Sequence, residues 1–169
     1  MATIRDAQGA HDYVAFGRLC REYVEWCRNR YQTIPWLIDE IFDYQSLEDE
    51  LKALSTKYGP PYGRTLLSVA NGGDIVGGGA YRRLSDGVCE LKRLYISGEA
   101  RGRGIGRQLS EALTAAARTD GFSLMKLDTG NLMTEAIAMY ASMGFKTCAP
   151  YHAYPNSIMP FLVFMEKAL

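Results

Sequence analysis

Apolar positions along the chain change spacing in a fixed order, and each change marks an element. Residues 3–5 read as a short first strand. Phe16, Leu19, Cys20, Tyr23, Val24 and Cys27 then recur at the three- and four-residue steps of an amphipathic helix, which must stop before Pro35. Asp12 is taken as the cap of this helix, and His11 beside it as an ordinary surface residue. Ser46-Leu47-Glu48-Asp49 has the form of a capping box for a second helix with Leu47, Leu51 and Leu54 inward, halted by Gly59-Pro60-Pro61. Three strands follow as a meander, over 64–70, 75–84 and 88–96, joined by turns at 71–74 and 85–87. Glycine is costly inside a strand, so Gly77-Gly78-Gly79 predicts a bulge, or close approach of another backbone or a ligand.

The next change of period carries chemistry. Ile105, Leu109, Ala112, Leu113, Ala116 and Ala117 describe a helix ended by Asp120-Gly121, and Arg101-Gly102-Arg103-Gly104-Ile105-Gly106-Arg107 lies between it and the strand over 88–96. Glycines let a backbone approach a ligand, the first N–H groups of a helix point outward unpaired, and arginines add positive charge, so the stretch suits a pyrophosphate. A plain glycine-rich connection is the alternative. The dinucleotide fingerprint G-x-G-x-x-G fails, because its third glycine would fall on Arg107 or Leu109, and no Gly-Lys-Ser or Gly-Lys-Thr provides a P-loop. Residues 122–127 read as a buried strand and 133–143 as a helix capped by Gly144, with Phe145 starting another strand.

What the loop does fit is R-x-x-G-x-G, from Arg101, Gly104 and Gly106, and here the chain resembles the GNAT superfamily of acetyltransferases. Tyr140, Gly144 and Phe145 match the family's Tyr-x-x-x-Gly-Phe, whereas Met133 stands where the family often has asparagine; Asn131 is out of register and receives no cofactor role. The resemblance is strong from Val88 to Phe145 and weak before Arg64. It implies one α/β (α+β) domain over 1–169 with a mixed, mostly antiparallel twisted sheet of six to seven strands flanked by about four helices. It also implies acetyl-coenzyme A as cosubstrate, bound by Leu94, Tyr95, Ile96, Arg101, Gly102, Arg103, Gly104, Ile105, Gly106 and Arg107. The element order, a strand, two helices, three strands, a helix, a strand, a helix and two strands, agrees with it.

Composition and charge narrow the function. Hydrophobic residues make up 47% of the 169, which argues for a full core, and 19 basic residues balance 19 acidic ones, so nothing invites nucleic acid. No apolar run suits a bilayer, and the first residues lack a signal peptide's apolar core, giving a cytoplasmic expectation. Cys20, Cys27, Cys89 and Cys148 have no metal spacing, so no metal is expected. A homodimer is left open.

An alkylammonium with pKa about 10.4 is neutral in only about one molecule in 2,500 at pH 7, equal to roughly 4.6 kcal/mol of barrier, so acetyl transfer to an amine needs a base. Glu90, in an otherwise apolar strand and where many GNAT proteins carry their base, takes that role, with partial burial expected to raise its pKa; pairing with Lys92 or an arginine is the alternative. The resemblance makes Tyr140 the acid for the departing thiolate. Tyr151, His152 and Tyr154, in an aromatic loop between the last two strands, together with Tyr31 and Trp36, are candidates for the acceptor pocket. They are aromatic rather than acidic, which suggests a small-molecule primary amine. The alternatives are a non-catalytic acyl-coenzyme A sensor or interaction module, another acyl group, and a hydroxyl or protein acceptor.

Overall fold

A computed structural model describes residues 2–169. Strand β1 (Thr3–Asp6) leads into α1 (Gly9–Arg30), which buries Phe16, Leu19, Cys20, Val24 and Cys27 along one face. Asp12 is not the cap of α1. Gln8 occupies that position, and Asp12 sits in the first turn, accepting the Gln8 N–H at 2.7 Å and pairing with Arg5.

The segment up to residue 57 departs most from expectation. Pro35 opens a helix, α2 (Pro35–Tyr44), which buries Leu37, Ile38, Ile41 and Phe42; at the first helical position proline lacks only an N–H that would be unpaired anyway. The single helix expected after Ser46 is two short ones, α3 (Leu47–Lys52) and α4 (Leu54–Lys57), broken at Ala53, whose φ of −137° is non-helical. No capping box forms: Ser46 has φ 54° and its side chain makes no cap hydrogen bond. The described residues thus hold six α-helices.

The meander is β2 (Gly63–Val69), β3 (Ile75–Ser85) and β4 (Val88–Ile96); then come α5 (Ile105–Thr119), β5 (Leu124–Gly130), α6 (Thr134–Ser142), β6 (Lys146–Thr147) and β7 (Leu162–Ala168). They form one sheet of seven strands in the order β1-β2-β3-β4-β5-β7-β6, antiparallel throughout except for β4 with β5. One face, carrying Tyr81, Cys89, Leu91, Met125 and Leu127, packs on Leu109 and Leu113 of α5 and Tyr140 of α6. The other face is covered by α1 and α2. No helix among the described residues is long and apolar enough to cross a membrane.

The glycine run lies at an irregularity, but the extra residue belongs to β4. Gly78 opposes Tyr95 and Ala80 opposes Lys92, so Arg93 and Leu94 together face Gly79, and Arg93 adopts φ 59°. The close approach is by side chains: a Cβ on Gly78 would stand 2.9 Å from Phe16, and one on Gly79 2.9 Å from both Leu94 and Leu113.

Candidate active site

Strands β4 and β5 are paired over only three residues, ending at Glu90 opposite Lys126. Beyond that point β4 continues to Ile96 and β5 to Gly130, each along its own direction, and the gap opens into a cavity of about 600 Å³. Leu91 to Ile96 and Leu127 to Gly130 form its walls, α1 supplies Tyr23 and Trp26, Tyr31 follows at its C-terminal end, α2 supplies Ile38, Ile41 and Phe42, and α6 supplies Ala136, Met139 and Tyr140.

At one end stands the glycine loop. Gly102 and Gly104 both have φ 75°, which only glycine adopts freely, and around both an added Cβ would find nothing within 4 Å. The first hydrogen bond of α5 runs from Gln108 N–H to the Gly104 carbonyl, and no side chain caps the helix. The N–H groups of Ile105, Gly106 and Arg107 therefore remain available at the positive end of the helix dipole. The Arg101 guanidinium lies 4.8 Å from the Trp26 ring and 4.9 Å from the Tyr95 ring and donates to the Ile96 carbonyl at 2.9 Å, which fixes the loop against β4 and α1. These features fit a pyrophosphate. Leu94, Tyr95, Ile96, Arg101, Gly102, Gly104, Ile105 and Gly106 line the cavity. Arg103 and Arg107 do not: Arg107 turns outward to Glu111 and Ser142.

Tyr140 reaches the cavity from α6, its ring edge-on to Phe145 at 5.5 Å. Its hydroxyl bonds to no other described residue, and burial pushes it well above the usual tyrosine range, so the phenol keeps its proton. Met133 sits buried in the cavity wall, while Asn131 accepts a hydrogen bond from Tyr31 at 3.0 Å. Tyr31 also lines the cavity, and its hydroxyl accepts the Leu132 N–H at 2.8 Å.

Glu90 differs from expectation. It is wholly buried yet does not line the cavity; its carboxylate contacts Arg82 at 3.2 Å, Lys92 at 3.7 Å and the His152 imidazole. Burial alone would raise its pKa, but the His152 hydrogen bond and the charges of Lys92 and Arg82 outweigh it and bring the group down to about 2. The expected rise is thus reversed, because the desolvated carboxylate is surrounded by cations and donors. Two carboxylates reach the cavity: Glu135 of α6, which pairs with Arg30 at 3.0 Å, and Asp128 of β5, which sequence reasoning missed. Ligand atoms of Asp128, Glu90 and His152 lie within 4.8 Å of one another. Arg82 and Lys92 already balance these carboxylates.

The other acceptor candidates stand behind the wall. Tyr154 donates to Asp128 at 2.9 Å and accepts from Gln45 at 2.8 Å, and Tyr151 packs between His152 and Phe164. Trp36 is 43% exposed and edge-on to Phe161, outside the cavity.

The same buried polar layer holds Glu50. Burial would raise its pKa, but Arg93 at 2.6 Å and Lys57 at 2.7 Å bring it down to about 2. A carboxylate depressed on folding stabilises the protein above its unfolded value of about 4.3, and that stabilisation is lost as pH falls toward the folded value. Chemical denaturation is therefore expected to show stability level at neutral pH and falling by a few kcal/mol between about pH 4.5 and 2.5. A flat profile across that window would contradict the assignment.

Residues 22–145 match the acetyltransferase (GNAT) family. An N-acetyltransferase of Schizosaccharomyces pombe, itself uncharacterised, is 37% identical over 124 residues, covering 73% of this chain and 74% of that one. A crystal structure from Klebsiella pneumoniae, an acyl-CoA N-acyltransferase by assignment, superposes with a TM-score of 0.69 at 29% identity, covering 100% of this chain and 98% of the other. A PaiA N-acetyltransferase from Thermoplasma acidophilum, solved with coenzyme A, shares the fold with a TM-score of 0.72 at 19% identity over 100% of this chain and 99% of its own.

Proposed function

Since this chain belongs to the GNAT family of acetyltransferases, we propose that it moves the acetyl group of acetyl-coenzyme A directly to the primary amine of a small molecule. The observation that carries this reading is a single cavity running from the open N–H groups of α5, past Tyr140, to Asp128. Acetyl-coenzyme A, when bound, supplies an activated acyl thioester. The first turn of α5 and the Gly102–Gly104 turn bind its pyrophosphate, with Arg101 stacked at the edge. The Tyr140 hydroxyl holds a proton inside the cavity, where it can serve a departing sulfur.

Asp128 faces the acceptor end and accepts the proton that the ammonium must lose, directly or through water. Glu90 acts behind it, holding His152 and balancing Lys92, and Tyr154 orients Asp128. Enclosure by α2 limits the acceptor to a small molecule. A cytoplasmic setting accords with four free cysteines, three of them buried.

The test is thiol release from acetyl-coenzyme A against a panel of amines, amino acids, polyamines and peptides, with mass gain read on each acceptor. Turnover with small amines is expected, and cofactor binding without any turnover would defeat the enzymatic reading. Tyr140→Phe, which removes only the hydroxyl, is expected to lower kcat by about 10- to 100-fold with cofactor affinity retained. An unchanged kcat would leave the departing sulfur without this acid.

A further inference from the structure

The acceptor end of the cavity contains a donor with nothing to donate to. Arg93 is 7% exposed and lines the cavity; its Nε donates to Glu50 at 2.6 Å and one terminal nitrogen to Gln45 at 2.8 Å. The other, Nη2, is buried without a hydrogen-bond partner among the described residues. A guanidinium nitrogen so placed forfeits its hydration for nothing unless a ligand completes it.

A further observation points the same way. The bulge in β4, with Arg93 at φ 59°, turns consecutive residues Lys92 and Arg93 toward one side of the sheet, where an unbroken strand would send them to opposite faces. Lys92 and Arg93 line the cavity together with Arg30 and Arg101; Arg30 pairs with Glu135 and Arg101 packs at the glycine loop, whereas Arg93 lies toward the other end, beside Gln45 and Phe42.

We propose that the acceptor is an amino acid with an apolar side chain. Its carboxylate takes the free Arg93 nitrogen, with Lys92 nearby, its ammonium faces Asp128, and its side chain rests on Ile38, Ile41 and Phe42. The inference rests on the small-amine reading above and adds the anionic group that the amine carries. On binding, the orphaned donor gains a charged acceptor, the strongest class of hydrogen bond available to it.

Matched acceptors test this in the wild-type protein: phenylalanine, phenylalanine amide and phenethylamine, and leucine against isoamylamine, with thiol release and product mass recorded. The carboxylate-bearing member of each set is expected to have kcat/KM about 30-fold higher or more, mainly through KM. Arg93→Gln should collapse that ratio. Because Arg93 also anchors Glu50, a second measurement avoids the variant: with coenzyme A present, N-acetylphenylalanine should bind the wild type at least about 10-fold more tightly than N-acetylphenethylamine. Amines lacking a carboxylate used equally well would overturn the inference and leave the acetyltransferase reading standing. Turnover of succinyl-coenzyme A in preference to acetyl-coenzyme A would assign Arg93 to the acyl donor and overturn it likewise. No turnover with any acceptor, despite acetyl-coenzyme A binding, would overturn both readings.

Discussion

Gly106→Val is expected to abolish measurable acetyl-coenzyme A binding, weakening it by at least about 100-fold, while the protein melts within a few degrees of wild type. Gly106 lies in the first turn of α5 on the cavity wall. A Cβ there would meet only Ile96 at 3.8 Å and Met139 at 3.9 Å, ordinary contact distances, so the protein accommodates the addition. A ligand drawn against the N–H groups of that turn does not, because a branched side chain occupies the space its phosphate oxygens need. Gly104 is a poorer probe, since its φ of 75° would strain any other residue and confound folding with binding. Titration calorimetry with coenzyme A and acetyl-coenzyme A decides the matter: unchanged affinity in the folded variant would remove the loop from the cofactor site.

Asp128→Asn is expected to reduce kcat at saturating acceptor by about 100-fold or more, with acetyl-coenzyme A affinity within about 3-fold of wild type. Asparagine keeps the shape and can still accept the Tyr154 hydrogen bond, so the substitution removes charge and basicity but little packing. Glu90→Gln should cost less, since Glu90 touches His152 and Lys92 and not the cavity. The contrast between the two variants is the informative quantity. A near-normal rate in Asp128→Asn with collapse in Glu90→Gln would return the base to Glu90, acting through His152.

Legibility followed the range of the interactions. The glycine loop, the helix after it and the Tyr140-Gly144-Phe145 pattern were readable because each depends on neighbours within about one helical turn: unpaired N–H groups, a left-handed cap at Gly144 with φ 92°, and an apolar stripe. The loop's open notch and the position of Tyr140 on the cavity wall follow from those local rules. Helix α2 went unread because Pro35 signals both an end and a beginning, and only packing of Leu37, Ile38, Ile41 and Phe42 on α1 decides between them.

The charges were decided elsewhere. Glu90 was visible as a carboxylate in an apolar strand, but its ionisation is set by His152, sixty-two residues away, and by Arg82 across the β3–β4 ladder, contacts that no local pattern encodes. Asp128 looks like any polar residue in a strand. It gains a cavity only because β4 and β5 part after Glu90 and Lys126, a consequence of how the whole sheet twists. Arg93 reads in sequence as one charge among many, and its exposure to the cavity depends on a bulge opposite Gly79 and on Glu50 brought in from α3. Sequence alone determined where backbone N–H groups stay open beside a glycine turn, because that requires only the start of a helix. Which carboxylates reach the cavity, and which guanidinium nitrogen is left without a partner, required the tertiary structure, because electrostatic partners are chosen by distance in space and by shared burial.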